Sequence, residues 1–540
     1  MSLLGLFDIG KSAIFASQQA MNVVSNNIAN VNTPGYSRHE AILEVATPVR
    51  IKGGYLGRGV NSSGIRRHYD KFLHLQIIGQ NQSYGRSYSL DQGLSNIEQV
   101  FNEAQNLGLA NYLRDYFNAW QDVTTNPEGQ PERTALLQKA NSLIQTAQQM
   151  ESSILDTLKY INNDIANVTT EINSTTTQIA DLNVKIAQLE AGLSNESASF
   201  LRDERDRQLN KLAELIDYSW FEDSSGQVSV FVGGKILIES AYTFTLTSQL
   251  DIDGHSNVYL DGENITTSFS NGKLGGYIAV RSDIEDTPLH DLRKLVASII
   301  QETNILHSTG YGLDSSTGND FYDALQVSST DYSAAAYVSS SVVTDRSALT
   351  LDEYTIAFSD SSNYEVRNRR TGIPVTSGVY TAGGNIDFQG IRVVIDGAPV
   401  ANDSFLVSPL TKAITNFNVA ITDTNKVAAA SASANLPGDN TMAASIAGLA
   451  QANISNLDNA TFEDHYEGIV SNIGIMTKAA EDSLNYDDNL RFELERKRDA
   501  VSGVSLDEEA ANLIRFQRMY EAGARLLQVT DELLETIINL

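Results

Sequence analysis

The stretch LLGLFDIGKSAIFASQQAMNVVSNNIANVNTPGYSR, residues 3–38, decides how the chain folds at its ends. Its apolar residues recur at alternating steps of four and three, the period of a helix that packs along one seam of a coiled coil. Gly10 and Ser17 interrupt this seam with small residues. We predict that the following seam positions lie in an assembly interface: Leu3, Phe7, Ile14, Met21, Val24 and Ile28.

A second stretch, SLDEEAANLIRFQRMYEAGARLLQVTDELLETIINL at residues 505–540, has a related period. Ser505 is placed to cap the first turn of a helix, and Glu508 follows three residues later. A helix with a single apolar stripe cannot bury that stripe by itself, so we predict that the two ends pair as a coiled-coil core. The predicted interface positions of this second helix are Leu506, Leu513, Tyr520, Leu527 and Leu534.

The middle of the chain is mainly helical in pattern. A third seam runs from Ile154 to Leu189 without Pro or Gly, which predicts a rod of roughly 54 Å at 1.5 Å per residue. Valines alternate from Val228 to Val232, Gly233 and Gly234 offer a two-residue turn, and apolar residues alternate again beyond it. This pattern predicts a β-hairpin.

A segment at residues 326–410 is rich in Ser, Thr, Tyr and Val, and it predicts an independent β-rich domain. Its strand-like runs are Tyr354–Phe358, Tyr364–Arg367, Ile391–Ile395 and Phe405–Val407. We therefore predict an α+β multidomain protein. Residues 1–34 with 506–540 form the terminal helical core, 35–325 with 411–505 an elongated, mainly helical domain with a β-hairpin, and 326–410 an inserted outer β-rich domain.

Composition excludes several classes of function. The 540 residues include 38 basic and 67 acidic ones, so the formal net charge is 38 − 67 = −29, which repels nucleic acid and anionic lipid. No stretch approaches the roughly 18 apolar residues of a membrane span, so we expect no membrane insertion. Cysteine is absent, which excludes disulfides and thiolate chemistry. The first residues lack a basic region before the apolar ones, which predicts no cleaved secretory signal.

We predict that the protein is not an enzyme and holds no cofactor or metal. The charges at residues 202–207 alternate in sign, and we interpret them as a solvated or salt-bridged helix face. The histidines show no metal-ligand spacing. The tetrapeptide at 251–254, Asp-Ile-Asp-Gly, lacks the further ligands of a calcium loop, so a turn is the favoured interpretation.

The first helix is predicted to end where Thr33 precedes a proline, because that position disfavours helix. The string from Ile28 to Arg38 resembles the N-terminal motif of the rod, hook and hook-associated proteins of bacterial flagella. The run from Ser502 to Ala522 resembles the closing helix of the same family. Two residues depart from the family's usual pattern, His39 directly after the N-terminal motif and Glu521 in the closing helix. The motif positions are Ala29, Asn30, Thr33, Gly35, Tyr36, Arg38 and Gln517.

Three stretches resemble the hook-associated junction members of the family more than its hook proteins. They are Ser502–Glu509, Asp203–Leu209 and His307–Gly312. The alternative, a hook or rod subunit, would be expected to lack the 154–189 seam and the 203–207 segment.

The resemblance implies a structural subunit at the junction between hook and filament, which polymerises through its terminal helices. Its implied partners are further copies of itself in a ring, the hook protein, a second hook-associated protein of the junction, and an export chaperone on the C-terminal helix. The implied location is extracellular, in the flagellum, after export by the flagellar type III apparatus without a cleaved signal.

Overall fold

This computed structural model describes residues 3–51, 54–102, 108–191 and 198–539. The side chain of Leu3, a predicted interface position, lies outside the described part. The α-helices are α1 (Leu3–Ala29), α2 (Lys71–Val100), α3 (Leu109–Thr125), α4 (Gln130–Glu190), α5 (Ser199–Leu215), α6 (Gly272–Ile284), α7 (His290–His307), α8 (Thr441–Gly448), α9 (Phe462–Ser502) and α10 (Leu506–Ile538).

The strands fall into three groups along the chain. The first group is β1 (His39–Val45), β2 (Val49–Ile51), β3 (Gly54–Leu56) and β4 (Val60–Arg67). The second group is β5 (Ser219–Glu222), β6 (Val228–Val232), β7 (Lys235–Glu239), β8 (Tyr242–Thr243), β9 (Leu246–Leu250), β10 (Ser256–Leu260) and β11 (Glu263–Asn264). The third group is β12 (Ser328–Tyr332), β13 (Ala336–Val343), β14 (Tyr354–Phe358), β15 (Asn363–Asn368), β16 (Pro374–Val379), β17 (Asn385–Phe388), β18 (Ile391–Gly397) and β19 (Ser404–Ser408).

The terminal helices α1 and α10 pair antiparallel. Asn27 lies beside Glu509 at one end of the pair, and Gly10 lies beside Leu527 towards the other. Ser505 caps α10 as predicted, because its Oγ accepts the backbone N–H of Glu508 at 3.5 Å. The predicted fold class, an α+β protein with paired terminal helices, is confirmed.

The most buried positions of α10 form a second heptad repeat beside the predicted one. The buried positions of α10 recur every seven residues and are Glu509, Phe516, Gly523 and Thr530. Leu506 and Tyr520 are 52% and 39% exposed, and Phe7 of α1 is 42% exposed. The most buried stripe of α10 therefore lies beside the leucine repeat on the helix surface, and both border α1, since Leu513 packs against the core of the pair and Leu527 lies against Gly10.

The other predicted seam positions lie in or beside the helix pair. Val24 is buried with Ala20 and Phe516 in a small core of its own. The half-buried positions are Ile14, Met21, Ile28, Leu513, Leu527 and Leu534.

Strands β1 to β4 form a ribbon that lies along α1, in a region expected to be mainly helical. β1 pairs with β4, and β2 pairs with β3 at the tip. Ser12 of α1 accepts the backbone N–H of Val60 at 3.3 Å. Ala41 and Leu43 of β1 contribute to the small core of the terminal pair. The ribbon thus belongs with the terminal helices in space.

The helical domain is built on α4, which is 61 residues long and spans roughly 90 Å at 1.5 Å per residue. The predicted seam is buried from Ile154 to Ile186, whereas Leu189 is exposed. It packs with α2, α3, α5, α6 and α7 in the main core. The predicted hairpin is present as β6 and β7, joined at Gly233 and Gly234, within a larger group of strands.

The third group of strands forms a β-rich unit of two sheets with orders β12-β19-β14-β15-β16 and β13-β18-β17. The four predicted runs correspond to β14, β15, β18 and β19. The core of this unit is separate from the main core and includes Ala297 of α7. Among the described residues, no helix combines the length and apolar character that a membrane crossing requires.

Candidate functional site

The family motif builds the exit from α1. Asn30 donates its backbone N–H to Asn26 O at 3.1 Å, and Thr33 Oγ1 donates to Asn30 Oδ1 at 3.2 Å. Gly35 has a φ of +81°, a backbone conformation that side chains with a Cβ rarely adopt. The turn therefore delivers the next residues, Tyr36 to His39, to the boundary between the terminal helices and the helical domain.

A buried carboxylate of α10 meets this segment from one side. Glu509 is 1% exposed and accepts Asn27 Nδ2 at 3.0 Å and Arg38 Nε at 2.8 Å. Arg38 also donates Nη1 to Glu508 at 2.9 Å. Because α1, the motif segment and α10 all contribute, these bonds join both ends of the chain at one point.

A second buried carboxylate, from α5, meets the segment from the other side. Asp203 accepts the backbone N–H of Ser37 at 3.2 Å and pairs with Arg67 Nη1 at 3.1 Å. His39 Nε2 lies 3.4 Å from the same carboxylate. Arg67 of β4 also pairs with Asp206 at 2.7 Å. The motif segment is thereby tied to the helical domain.

Tyr36 lies between these two carboxylates. Its hydroxyl donates to Asn27 Oδ1 at 2.9 Å and lies 3.4 Å from His39 Nδ1. Burial, with the charges of Asp203 and Glu509, raises the pKa of Tyr36 to about 12. Tyr36 is therefore a neutral hydrogen-bond donor at physiological pH.

Backbone bonds add to this arrangement at Arg38. Its N–H donates to Ser502 O at the end of α9 at 2.7 Å, and its carbonyl accepts His68 N–H at 2.9 Å. We call the whole set the joint cluster, defined as Asn27, Tyr36, Arg38, His39, Arg67, Asp203 and Glu509.

The chemistry of the joint cluster favours rigidity. Each of its buried carboxylates is paired with an arginine and accepts a hydrogen bond from a neutral donor, which offsets the cost of burying its charge. Removal of one partner from such a pair leaves an uncompensated buried charge. The cluster therefore fixes the direction of the terminal helices relative to the helical domain.

Only part of the predicted motif enters the joint cluster. Tyr36 and Arg38 belong to it, while Asn30, Thr33 and Gly35 build the turn before it. Ala29 and Gln517 are exposed.

Sequence reasoning assigned no role in a site to Asn27, Arg67 or Glu509. The one available signal was the spacing of seven from Glu509 to Phe516, which places a carboxylate on the α1-facing stripe. Arg67 could not be found, because strand β4 was not predicted.

The interpretation of residues 202–207 was correct in part. Arg202 pairs with Glu190 at 2.8 Å, as expected of a salt-bridged helix face. Asp203 and Arg205, however, are 7% and 2% exposed, so part of this face is buried. The docking of α5 against the motif segment and of Arg205 onto the carbonyl of Gly226 removes these charges from solvent.

The tetrapeptide at 251–254 forms the turn between β9 and β10, as interpreted. Asp251 Oδ1 accepts the N–H groups of Asp253 at 3.0 Å and of His255 at 2.8 Å. These bonds are those of an Asx turn, in which a side chain closes the loop.

Comparison with known proteins agrees with these features at both ends and in the middle. Residues 7–36 match the family described as flagella basal body rod protein, and residues 499–540 match the C-terminal region of the basal body rod FlgEFG proteins. Residues 94–322 match the helical domain of flagellar hook-associated protein FlgK, and residues 327–409 match the D2-like domain of flagellar hook-associated protein 1.

Full-length relatives give the same result. Flagellar hook-associated protein 1 of Escherichia coli (strain K12) is 30% identical over 552 residues, covering 99% of each chain. The protein of that name from Bacillus subtilis (strain 168) is 25% identical over 561 residues, covering 100% of this chain and 98% of the relative. The flagellar hook junction protein FlgK from Burkholderia pseudomallei has the same fold, with a TM-score of 0.69 at 17% identity over 79% of this chain and 100% of that one.

The paired ends and the joint cluster thus define a structural subunit of the class that includes flagellar rod proteins. The helical-domain match at 94–322 and the full-length relatives narrow this class to the hook-associated proteins, so they disfavour the alternative of a hook or rod subunit. The chain belongs to the flagellar hook-associated protein 1 family, and it is a structural component of the bacterial flagellum.

Proposed function

We propose that this protein forms a layer between hook and filament and polymerises through its terminal helices. The observation that carries the proposal is that the α1–α10 pair buries few of its apolar side chains and leaves many exposed. Among the described side chains its own core holds three buried ones, Ala20, Val24 and Phe516, while many large apolar side chains of both helices stay exposed. Each Å² of such surface that is buried contributes roughly 25 cal/mol, which favours packing against neighbouring subunits.

The proposed role is mechanical, with no catalytic step. Neighbouring subunits cover the exposed Phe7, Leu506 and Tyr520, and they extend the contacts of the half-buried seam positions. The joint cluster holds the helix pair in one direction, so that a load on the pair passes into the long helical domain. The ion pairs Arg38–Glu509 and Arg67–Asp203 support this mechanical role of the cluster.

The proposed division of the chain follows the same logic. Residues 1–34 with 506–540 form the polymerising core, 35–325 with 411–505 the elongated domain, and 326–410 the outer domain. The ribbon β1–β4 of the second division packs on the first. The separate core of strands β12 to β19 supports the outer domain.

The proposed partners are other copies of the chain in a ring, the hook protein and a second hook-associated protein. The similar fold of the Burkholderia relative, a flagellar hook junction protein, supports this placement. We also propose an export chaperone that covers α10 before assembly, and export through the flagellar type III apparatus without a cleaved signal. The exposed apolar side chains of α10 support a need for such a cover.

A charge at the proposed contact surface tests this function. Tyr520→Asp, in a strain that lacks the native gene, should leave cells with hooks and free flagellin in place of attached filaments. Tyr337→Asp is the matched control, because Tyr337 is 56% exposed on the β-rich unit. Electron microscopy of the cells scores attachment, and the amount of variant in the medium separates failed assembly from failed export. Normal filaments with an exported Tyr520→Asp variant would show that the terminal helices are not the polymerising surface.

A further inference from the structure

The β-rich unit is attached to the helical domain through two adjacent segments of chain. The chain enters the unit at β12 and leaves it at β19, and these strands pair with Ser328 opposite Ser408. The segments 324–327 and 409–413, which we call the neck, therefore lie side by side. Domain hinges are formed by a few residues at the ends of elements, as the neck is.

Helix α7 supports the unit beside the neck through a small contact. Among the described residues of α7, Ala297 is the one that joins the core of the unit. Leu325 of the neck borders both this core and the main core. Because one methyl group buries little apolar surface, this contact fixes the angle of the unit only weakly.

An open cleft lies on each side of this support. The narrow cleft has a volume of about 300 Å³ and is lined by Ile300 of α7 and Val343 of the unit. The wide cleft has a volume of about 760 Å³ and is lined by Lys159 of α4, Asp253 of the β9–β10 turn and Arg369 of the unit. Protein interiors are close-packed, so clefts of this size show that neither flank of the unit is tightly packed on the helical domain.

The narrow cleft is bridged by bonds of a buried side chain. Gln301 of α7 is 7% exposed, and its Nε2 donates to Arg346 O at 2.8 Å and to Leu349 O at 3.1 Å. Both acceptors belong to the unit. Opening this flank would leave a buried amide without these partners, so the narrow cleft resists opening.

The wide cleft is bridged by bonds of exposed side chains. Tyr332 of β12 donates its hydroxyl to Asp253 Oδ2 at 2.5 Å, and Arg370 Nη1 lies 3.4 Å from Asp291 Oδ1. Tyr332 is 38% exposed, and the side chain of Arg370 is 60% exposed. Water replaces the partners of exposed groups at little cost, so this flank opens more readily than the other. We call these two contacts the strap.

A further ionic contact across the wide cleft is longer. His290 Nδ1 of α7 lies 4.0 Å from Glu353 Oε2 of the unit. This distance exceeds that of a hydrogen bond, so the contact adds little to the strap.

We propose that the β-rich unit rotates about the neck and Ala297, and that the strap holds it in the closed position seen in this structure. The narrow cleft stays bridged while the wide cleft opens and closes. Because the strap forms only when the wide cleft is closed, it sets the balance between the two positions. High salt favours the open position, since it screens the Arg370–Asp291 pair. The rotation is a property of a single chain, so the inference goes beyond the proposed function and does not depend on it.

Spin labels on the purified chain test the rotation, since the native sequence has no cysteine. One label pair spans the wide cleft, with Tyr160→Cys on α4 and Ile373→Cys on the unit. The control pair, Tyr337→Cys with Ile373→Cys, lies within the unit and shares one label, and all three residues are exposed. Pulsed electron paramagnetic resonance should give a wider spread of distances for the first pair than for the control. Tyr332→Phe should shift the first pair alone to longer distances.

A second variant breaks the strap from its other side. Asp253→Ala keeps the β9–β10 turn, because the side chain of Asp251 closes that turn. It should give the same shift as Tyr332→Phe, and the double variant should give no further shift. A spread across the cleft as narrow as that of the control, unmoved by either variant, overturns the rotation. A change in both label pairs also overturns it, because the unit itself would then have loosened.

Discussion

Gly10 and Gly523 set the distance between the terminal helices. A methyl group on Gly523 would lie 3.0 Å from Ile14 Cγ1 and 3.2 Å from Gly10 O. The two backbones therefore meet where both helices lack a side chain, and Leu527 packs over Gly10. In the sequence Gly10 looks like an interruption of the seam, whereas in the structure it is the crossing point.

The substitution Gly523→Val should separate the pair. Forcing a branched side chain into a close crossing typically costs about 1–3 kcal/mol. We expect loss of helical signal in far-ultraviolet circular dichroism and faster proteolysis of α1. The control is Gly468→Val in α9, where an added Cβ meets nothing within 4 Å. Equal behaviour of the two variants would contradict a role for close backbone contact.

His307 is a second residue whose position only the structure explains. Its ring is fully buried, with Nδ1–H donating to Asn319 O at 2.7 Å and Nε2 accepting Ala428 N–H at 2.8 Å. The bond at Nε2 needs the neutral ring, because a protonated ring has no lone pair there to accept the Ala428 N–H. Burial lowers the pKa of His307 from its ordinary value of 6.5 to about 4.

The stability of the helical domain should therefore depend on pH through His307. Between pH 6.5 and 4 the unfolded state binds the proton and the folded state does not, so stability is full above 6.5 and falls as the pH drops towards 4. The difference between the unfolded and folded pKa values of His307 corresponds to at most about 3 kcal/mol in the free energy of unfolding. Chemical denaturation at several pH values measures it. His307→Gln keeps one hydrogen-bond donor and one acceptor but cannot be protonated in this range, so this variant should not lose stability through this group as the pH falls from 6.5 to 4. If the variant loses as much stability over this range as the native protein, other groups cause the loss.

At the scale of elements, the joint cluster connects four segments through short polar bonds. α1 supplies Asn27, α10 supplies Glu509, α5 supplies Asp203 and β4 supplies Arg67, around the motif segment. Since most of these bonds are buried or partly buried, hydrogen-bond geometry helps to set the angle between the helix pair and the helical domain.

Two adjacent glutamates of α10 offer a matched comparison. Both contact Arg38, but the side chain of Glu509 is 2% exposed and that of Glu508 is 63% exposed. Glu509→Ala removes the buried acceptor of Arg38 Nε and one of the two acceptors of Asn27 Nδ2, the other being His39 O, and we expect a loss of about 2–4 kcal/mol in the free energy of docking. Glu508→Ala should cost under about 1 kcal/mol. Hydrogen exchange at α1 and α10 measures both, and similar values for the two would show that burial of this pair is unimportant.

At the scale of the whole molecule, apolar burial is uneven. The main core joins α2 to α7 with α9, and the β-rich unit has a core of its own. Among the residues that the structure describes, the terminal pair has a small core of its own and the joint cluster. Local stability follows buried contact, so the ends of the chain are the least stable part of the isolated protein.

Limited proteolysis of the dilute purified protein should therefore cut α1 and α10 before α4. Fragments should lack residues before about Thr33 and after about Ser505, while the helical and β-rich parts remain. The same helices should resist the protease in isolated flagella, where neighbouring subunits cover them. Termini as resistant in the dilute protein as α4 would contradict the coupling of terminal stability to assembly.

The sequence by itself determined the helices, the pairing of the ends and the family. The seam spacing in α1, α4 and α10 predicts which side of each helix is apolar, and the sequence Thr33-Pro34-Gly35 predicts where the first helix ends. These are local properties, so periodicity and turn chemistry along the chain are enough to give them. The β-rich segment was visible in the same way from alternation and composition, although four of its strands were not.

The tertiary structure alone decided which groups meet. Asp203 and Glu509 are more than 300 positions apart along the chain, and both lie against the segment that follows α1. The ribbon was missed because its strands mix polar and apolar residues without a clear alternation, and they are held by pairing and by α1 rather than by their own pattern. Contact between distant residues depends on how elements pack, and packing is decided by the fit of whole surfaces.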